Sequence, residues 1–162
     1  METKLEITLV LDRLRSAFNT GNIFRLAEAL DAEIIGCGAT PMPPHPKVAR
    51  TAMGTETRVP CRCVPEAADA VRLLRNEGVR TILAAEPGGG TENEAWNCSC
   101  EFPLAVIFGN EALGVHPEAL RMADGLVSLP MLGEKSSINV SNAAAAILYA
   151  LKYRSGNREK RP

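Results

Sequence analysis

VSLPMLGEKSSINVSNAAAAILYALKY, residues 127–153, places an apolar strand, a polar loop and an alanine-rich helix in immediate succession. Pro130 cannot donate a hydrogen bond to a sheet and favours extended backbone at Leu129, so the pattern predicts a strand over 127–130. The loop then begins near Met131. Many hydrogen-bonding groups crowd this strand end, which is where open parallel sheets bind ligands, so we expect the functional site to be built around the loop.

The far end of this loop carries residue types that begin helices. Ser136, Ser137 and Asn139 have short side chains that can accept hydrogen bonds from the first N–H groups of a helix, and the helix is predicted to run to Leu151. The four alanines at 143–146 add little bulk, so the helix can pack closely on a sheet or on a second copy of itself. A capped helix after a strand, without chemistry in the loop, is the simpler interpretation of the same residues.

Composition restricts the classes of function. The chain has 162 residues, a length typical of one domain, and a formal net charge of −1 with a pI of about 6.2. A basic field over the whole protein is therefore excluded, and contact with nucleic acid must use a local patch, either Arg13 with Arg15 or the basic C-terminal tail. No apolar run approaches the ~20 residues of a membrane span, and the N-terminus lacks a signal-peptide pattern, so we expect a cytoplasmic protein that does not contact membranes.

Cysteine usage favours reduced thiols. The sequence has five cysteines, an odd count that fits a reducing compartment better than a disulfide framework: Cys37, Cys61, Cys63, Cys98 and Cys100. The two Cys-x-Cys pairs could in principle bind zinc, but structural zinc ligands are usually separated by two to four residues. We therefore predict no metal site.

Apolar runs alternate with segments of helical periodicity along the chain. Strands are predicted at 5–11, 33–37, 59–64, 79–85, 104–108 and 127–130, and helices from Asn19, over 65–76, over 117–122 and after Asn139. This alternation is typical of an α/β protein with a mostly parallel, Rossmann-like sheet and helices on both faces. Residues 38–53 are rich in proline and polar groups and are predicted to form a long functional loop.

Three polar clusters follow three of the predicted strands. They are Asn19, Gly21 and Arg25 after the first strand, Gly109, Glu111 and Gly114 after the fifth, and residues 129–139 after the sixth. In a parallel sheet the carboxyl ends of the strands share one edge, so the three clusters should lie together. The segment after the first strand is not G-x-G-x-x-G, which disfavours a nicotinamide site or a Rossmann-type methyltransferase site.

These clusters resemble the three motifs of the SpoU-type (TrmH-like) ribose methyltransferases of the SPOUT superfamily. The matching segments are Asn19-x-Gly21-Asn22-x-x-Arg25, Phe108-Gly109-x-Glu111-x-x-Gly114, and Leu129-Pro130-Met131 with Ser137-x-Asn139-x-Ser141. The resemblance covers nearly the whole chain and implies one SPOUT domain over 1–154 with a deep C-terminal trefoil knot. The remaining residues, 155–162, are predicted to be a disordered basic tail.

The resemblance also implies a reaction and a set of site residues. The implied reaction transfers a methyl group from S-adenosylmethionine, without a metal, to a ribose 2′-hydroxyl of tRNA or rRNA. Such enzymes are homodimers, and the lack of an RNA-binding extension before the first strand leaves a role for a helper protein. Arg25 would act at the ribose with Asn19, Glu111, Ser137 and Asn139. The cofactor would contact Ala85, Gly109, Leu129, Ser137 and Ile138.

Alternatives remain open at this point. Arg25 could accept the proton of the hydroxyl, or it could stabilise the alkoxide while water takes the proton, because a guanidinium that is already protonated is a poor proton acceptor. The protein could also be a methyltransferase for a substrate other than RNA, or a knotted RNA-binding module without catalysis. RNA-dependent methyl incorporation would separate these functions.

Overall fold

The computed structural model describes residues 5–154, and the predicted disordered tail at 155–162 lies outside them. The strands are β1 (Ile7–Asp12), β2 (Glu33–Cys37), β3 (Cys61–Val64), β4 (Thr81–Ala85), β5 (Leu104–Gly109) and β6 (Gly125–Val127). The helices are α1 (Ala17–Ala29), α2 (Pro46–Ala52), α3 (Ala67–Asn76), α4 (Pro117–Met122) and α5 (Val140–Lys152). Single 3₁₀ turns lie at Thr55–Thr57 and Thr91–Asn93.

The six strands form one parallel sheet in the order β3-β2-β1-β5-β4-β6. β1 lies at its centre and all six of its residues are buried, as expected for a strand covered on both faces. One apolar core packs α1, α2 and α5 against one face, and a second packs α3 and α4 against the other. The predicted α/β architecture is therefore confirmed.

The first helix begins earlier than predicted. Ser16 caps it, with the Ser16 hydroxyl accepting the Asn19 N–H at 3.3 Å, so α1 starts at Ala17 rather than at Asn19. Asn19 lies in the first turn with its side chain free for other contacts, and Arg25 falls in the third turn. The third helix likewise begins at Ala67, after the cap Glu66, instead of at Pro65.

The prediction of a long loop over 38–53 was wrong. The segment contains α2, which His45 caps and which packs directly on α1. A Cβ added at Gly21 of α1 would meet Thr51 Oγ1 at 1.9 Å and the Val48 carbonyl at 2.5 Å, so glycine is needed where the two helices touch. The four prolines between positions 41 and 46 indicated a loop, and α2 buries only Val48 and Ala52, which is too short an apolar stripe to outweigh them.

The last strand also differs from its prediction. β6 ends at Val127, three residues before the predicted end at Pro130. Ser128 continues the sheet only through one bridge to Glu94, because its N–H donates to the Asn93 carbonyl at 2.8 Å. The chain therefore leaves the sheet early, and residues 129–139 form a longer connection to α5 than the proline alone indicated. Among the described residues, no helix is long and apolar enough to cross a membrane.

Candidate active site

A cavity of about 740 Å³ opens at the carboxyl ends of β4, β5 and β6. Segment 109–114 forms one wall, segment 129–139 forms the opposite wall, and the first turns of α5 close one end. This volume lies within the roughly 300–1,000 Å³ that small-molecule sites usually occupy. The topology thus places a ligand-sized space at the sheet edge that the sequence pattern indicated.

Most of the predicted site residues line this cavity. The lining includes Asn19, Ala85, Gly109, Glu111, Leu129, Ser137, Ile138 and Asn139. Arg25 is not among the lining residues. Its side chain is exposed, six residues beyond Asn19 and therefore about 9 Å further along the helix axis. Within one copy of the described chain, Arg25 therefore does not lie with the other predicted site residues.

A chain of side-chain hydrogen bonds joins the three motifs. The Asn19 amide donates to Glu111 Oε1 at 3.2 Å, and Asn139 Nδ2 donates to Asn19 Oδ1 at 2.9 Å. Asn139 Oδ1 in turn accepts the Ser141 N–H at 2.9 Å and so caps α5. Asn139 is the cap among the three candidates, whereas Ser136 and Ser137 make no such bond in the described structure. In Asn19 and in Asn139, both the amide nitrogen and the amide oxygen are therefore held by hydrogen-bond partners.

Glu111 ties the same network to the start of α1. Its two carboxylate oxygens accept the backbone N–H groups of Arg15 at 2.9 Å and Ser16 at 3.2 Å. Partial burial raises the pKa of this carboxyl, but the hydrogen bonds from backbone N–H groups and from the Asn19 amide lower it further, so the pKa lies below the ordinary 4.5. Glu111 is thus an ionised acceptor at neutral pH that holds Asn19 in place.

Asp12, at the end of β1, was not predicted as a site residue. Its carboxylate is fully buried and accepts from Arg13 Nε at 2.8 Å and from the His116 N–H at 2.6 Å. Arg13 Nη2 also donates to the Gly114 carbonyl at 3.3 Å. The hydrogen bond with Asp12 is the main cause that raises the pKa of Arg13. Arg13 is therefore committed to the cavity wall, and the predicted patch of Arg13 with Arg15 retains only Arg15 as a free cation.

Glu86, directly after β4, is a second residue that the sequence argument missed. Its Oε1 accepts the Val115 N–H at 2.6 Å, and its carboxylate lies beside Gly114 on the cavity lining. An acidic residue at the end of a buried strand was the only available signal. Glu86 and Asp12 together anchor the segment that begins at Gly109.

The cysteines do not assemble a site in the described structure. Cys61 and Cys63 are exposed on the edge strand β3, whereas Cys98 is buried and Cys100 half-buried in the segment before β5. Burial raises the pKa of Cys37 to about 12, so this thiol stays protonated. Within residues 5–154, no three His, Cys, Asp or Glu side chains are close enough to hold a metal ion.

Comparisons with known proteins point to one family. The model of the SpoU rRNA Methylase family matches residues 6–149. The chain is 31% identical over 144 residues to the tRNA (guanosine(18)-2′-O)-methyltransferase of Thermus thermophilus, covering 89% of this chain and 73% of that protein. It is 33% identical over 145 residues to the 23S rRNA (uridine(2479)-2′-O)-methyltransferase of Streptomyces viridochromogenes, covering 87% and 50%.

Solved structures show the same fold. The crystal structure of the SpoU methyltransferase AviRb from Streptomyces viridochromogenes, in complex with the cofactor AdoMet, superposes with a TM-score of 0.81 at 29% identity. The match covers 93% of this chain and 58% of that one. The chain thus spans between half and three quarters of the length of these three relatives.

Proposed function

The chain belongs to the SpoU rRNA methylase family, and from this premise we propose that it transfers a methyl group from S-adenosylmethionine to a ribose 2′-hydroxyl of tRNA or rRNA. The observation that carries the proposal is the hydrogen-bond chain from Glu111 through Asn19 to Asn139, which joins the three family motifs at one cavity. That arrangement is specific to the site and does not follow from the fold alone.

The residues present fit S-adenosylmethionine. The cavity offers apolar contacts from Leu129, Ile138 and Ile147 for a planar base, and carboxylates that could pair with an ammonium group. A Cβ at Gly109 would meet backbone atoms of Gly114 and Val115 at 2.2 Å, so glycine at this position lets the cavity wall fold back closely on the end of β5. When bound, the cofactor supplies an activated methyl group on a sulfonium leaving group.

The chain itself must position the ribose and manage one proton. Asn19 and Asn139 present amide groups at the cavity with orientations set by their partners, so they can hold a sugar hydroxyl in a defined place. Ser137 lines the same wall and has a hydroxyl available for the substrate. We propose that the Arg25 guanidinium stabilises the developing alkoxide while water takes the proton, because a free guanidinium is a poor base.

Arg25 is exposed and does not line the cavity of its own chain. For Arg25 to act at the ribose, a second copy of the chain or RNA must therefore reach α1. We therefore propose a homodimer. An exposed stripe along α5 and its C-cap supports the dimer: Asn142, Ala146, Tyr149 and Tyr153 recur at helical spacing, and the two tyrosine ring centroids lie 5.8 Å apart in a stacked arrangement. Sedimentation should give twice 17.4 kDa at micromolar concentration. Monomer alone under those conditions would contradict the dimer.

We further propose that the chain after β6 is threaded through an earlier loop to form the trefoil knot of this family. The early exit from β6 and the return of α5 to pack on α1, across the sheet from β6, support the threading. A crystal structure that traces residues 85–153 would test it, since an unthreaded path would be visible directly.

A helper protein for target recognition is a separate proposal, tested by adding cell extract to purified protein.

The deciding experiment combines labelled S-adenosylmethionine with bulk RNA and maps the product by resistance of the modified linkage to alkali. Wild-type protein should incorporate label, and Arg25→Ala should reduce turnover by about two to four orders of magnitude with cofactor affinity unchanged. Arg25→Lys keeps the charge and separates charge stabilisation from a role of the planar guanidinium. Absence of label in any RNA would overturn the proposed function, and full turnover in Arg25→Ala would remove Arg25 from it.

A further inference from the structure

The basic side chains of residues 5–154 fall into two groups. One group is neutralised by a carboxylate within 4.0 Å, namely Arg13, Arg58, Arg62, Arg72, Arg75 and Arg80. The other group has no such partner in the described part of the chain, namely Arg15, Arg25, Lys47, Arg50, Arg121, Lys135, Lys152 and Arg154, of which Lys152 donates to the Leu30 carbonyl. A cation without a partner is free to bind an external anion, whereas a paired one must first give up its carboxylate.

Four of the unpaired cations lie around the end of the molecule that carries the cavity. The Arg15 backbone is bonded to Glu111, and Lys135 lies in the 129–139 wall. Lys47 and Arg50 extend from α2, whose place is set by the bond from Thr51 Oγ1 to the Phe18 carbonyl at 3.1 Å. This bond holds α2 beside the first turn of α1, the turn that contains Asn19.

The segment of chain that contains α2 carries no acidic residue. No Asp or Glu occurs between Glu33 and Glu56, while Lys47 and Arg50 are both exposed. A chain with a net charge of −1 therefore has a local positive surface without a basic field over the whole molecule. This is the charge distribution that a binding site for polyanions requires when the rest of the protein is neutral or acidic.

We infer that Arg15, Lys47, Arg50 and Lys135, here called the cation rim, bind the phosphate backbone of RNA next to the cavity. The inference rests on the proposed function and adds to it the surface on which the RNA lies. Each lysine or arginine that neutralises a phosphate releases a counterion, so binding weakens steeply as salt rises. Such contacts position the RNA without selecting its sequence, which leaves selection of the nucleotide to the cavity.

The test compares two double variants that lose the same charge. Lys47→Ala with Arg50→Ala removes two members of the cation rim, and Arg72→Ala with Arg80→Ala removes two exposed, ion-paired arginines. Binding of fluorescent bulk tRNA is measured from low to high salt, because the phosphate contribution does not depend on sequence. The rim variant should bind roughly tenfold more weakly at low salt, and its salt slope should fall by about 1 per lost cation.

The control variant should keep the affinity and salt slope of the wild type, and both variants should keep their melting temperature and S-adenosylmethionine affinity. The double variant Lys47→Arg with Arg50→Lys conserves charge and should bind RNA with the affinity of the wild type. Equal weakening in both alanine variants, or none in the rim variant, would overturn the cation rim. A wild type that binds tRNA through the rim but never incorporates methyl into RNA would sink the proposed function instead.

Discussion

The two walls of the cavity are held in opposite ways. The tied wall, residues 109–116, is fixed by Asp12, Arg13 and Glu86, and by paired backbone bonds between Asn110 and Gly114 at 3.1 and 2.8 Å. In the open wall, residues 129–139, positions 130–138 make no hydrogen bond within the described structure, and Leu132 is 98% exposed. Half of the site is therefore built before a ligand arrives.

The difference has an energetic meaning. Ordering a free loop costs conformational free energy at the moment of binding, whereas a wall that is already bonded adds no such cost. Segments that rearrange on binding belong to the less stable parts of a fold, with few buried contacts and few internal bonds. We therefore expect the tied wall to determine whether the site forms and the open wall to determine how it closes.

The largest effect is expected for Gly109→Ala, because the new Cβ would lie 2.2 Å from backbone atoms of the tied wall. The wall cannot shift without breaking its anchors, so we expect a loss of about 3 kcal/mol in the free energy of unfolding and no measurable cofactor binding. Urea denaturation and calorimetry supply both values. Gly125→Ala is the control, since its nearest neighbour would be 3.7 Å away, and equal stability of the two variants would show that the wall yields.

Asp12→Asn should have the next largest effect. The change leaves the half-buried Arg13 side chain and the His116 N–H with a neutral partner. We expect this to cost about 2 kcal/mol of stability and to weaken cofactor binding, because the wall that Asp12 anchors is displaced. Glu101→Gln breaks the exposed pair with Arg80 and should cost little, about 0.5 kcal/mol or less. Similar melting temperatures for the two variants would argue that Asp12 anchors nothing.

A smaller effect, dependent on pH, is expected at Glu111. Its folded-state pKa lies below the ordinary 4.5, so its contribution is complete above pH 4.5 and is lost as pH falls through the lowered pKa. Glu111→Gln should therefore lower stability near pH 7 by roughly 0.5 kcal/mol, a value discounted for solvent exposure, and the difference from the wild type should shrink as pH falls from 7 through the lowered pKa. A constant difference between the two proteins across this pH range would contradict the role of the ionised carboxylate.

Local pattern predicted much of the sheet. A buried apolar run predicted β2 with its observed bounds, a short segment that begins at Pro117 predicted α4 with its observed bounds, and Asn139 caps α5 as its side chain suggested. Three motifs after three strands predicted that Asn19, Glu111 and Asn139 would meet. These signals are local, or they depend only on the parallel arrangement of strands, which alternation with helices already implies.

The anchors of the tied wall were beyond sequence reasoning because their partners are distant along the chain. Asp12 bonds to His116, 104 positions away, and Arg13 to Gly114, 101 positions away. In the sequence, Arg13 is indistinguishable from a free surface cation such as Arg15. The same limit applies to Arg25, whose motif predicted a place at the ribose while the helix presents it to solvent outside the cavity.

The smallest effect on stability is expected in the open wall. Gly133 has no neighbour within 4 Å of an added Cβ, and its backbone does not need glycine, so Gly133→Ala should change the free energy of unfolding by no more than about 0.5 kcal/mol. Alanine restricts the unbound loop and removes part of the entropy that binding must otherwise overcome. S-adenosylmethionine affinity should therefore stay the same or rise by up to about threefold, as measured by calorimetry.

Amide hydrogen exchange tests directly whether the two walls differ in order before the cofactor binds. Amides of residues 130–138 should exchange at nearly unprotected rates in the free protein and at least about tenfold more slowly with S-adenosylmethionine, whereas amides of 109–116 should be protected in both states. Gly133→Ala should show this pattern too, because the substitution leaves the anchors of the tied wall untouched. Strong protection of 130–138 before cofactor is added would mean that both walls are built in advance, and the energetic division between them would then disappear.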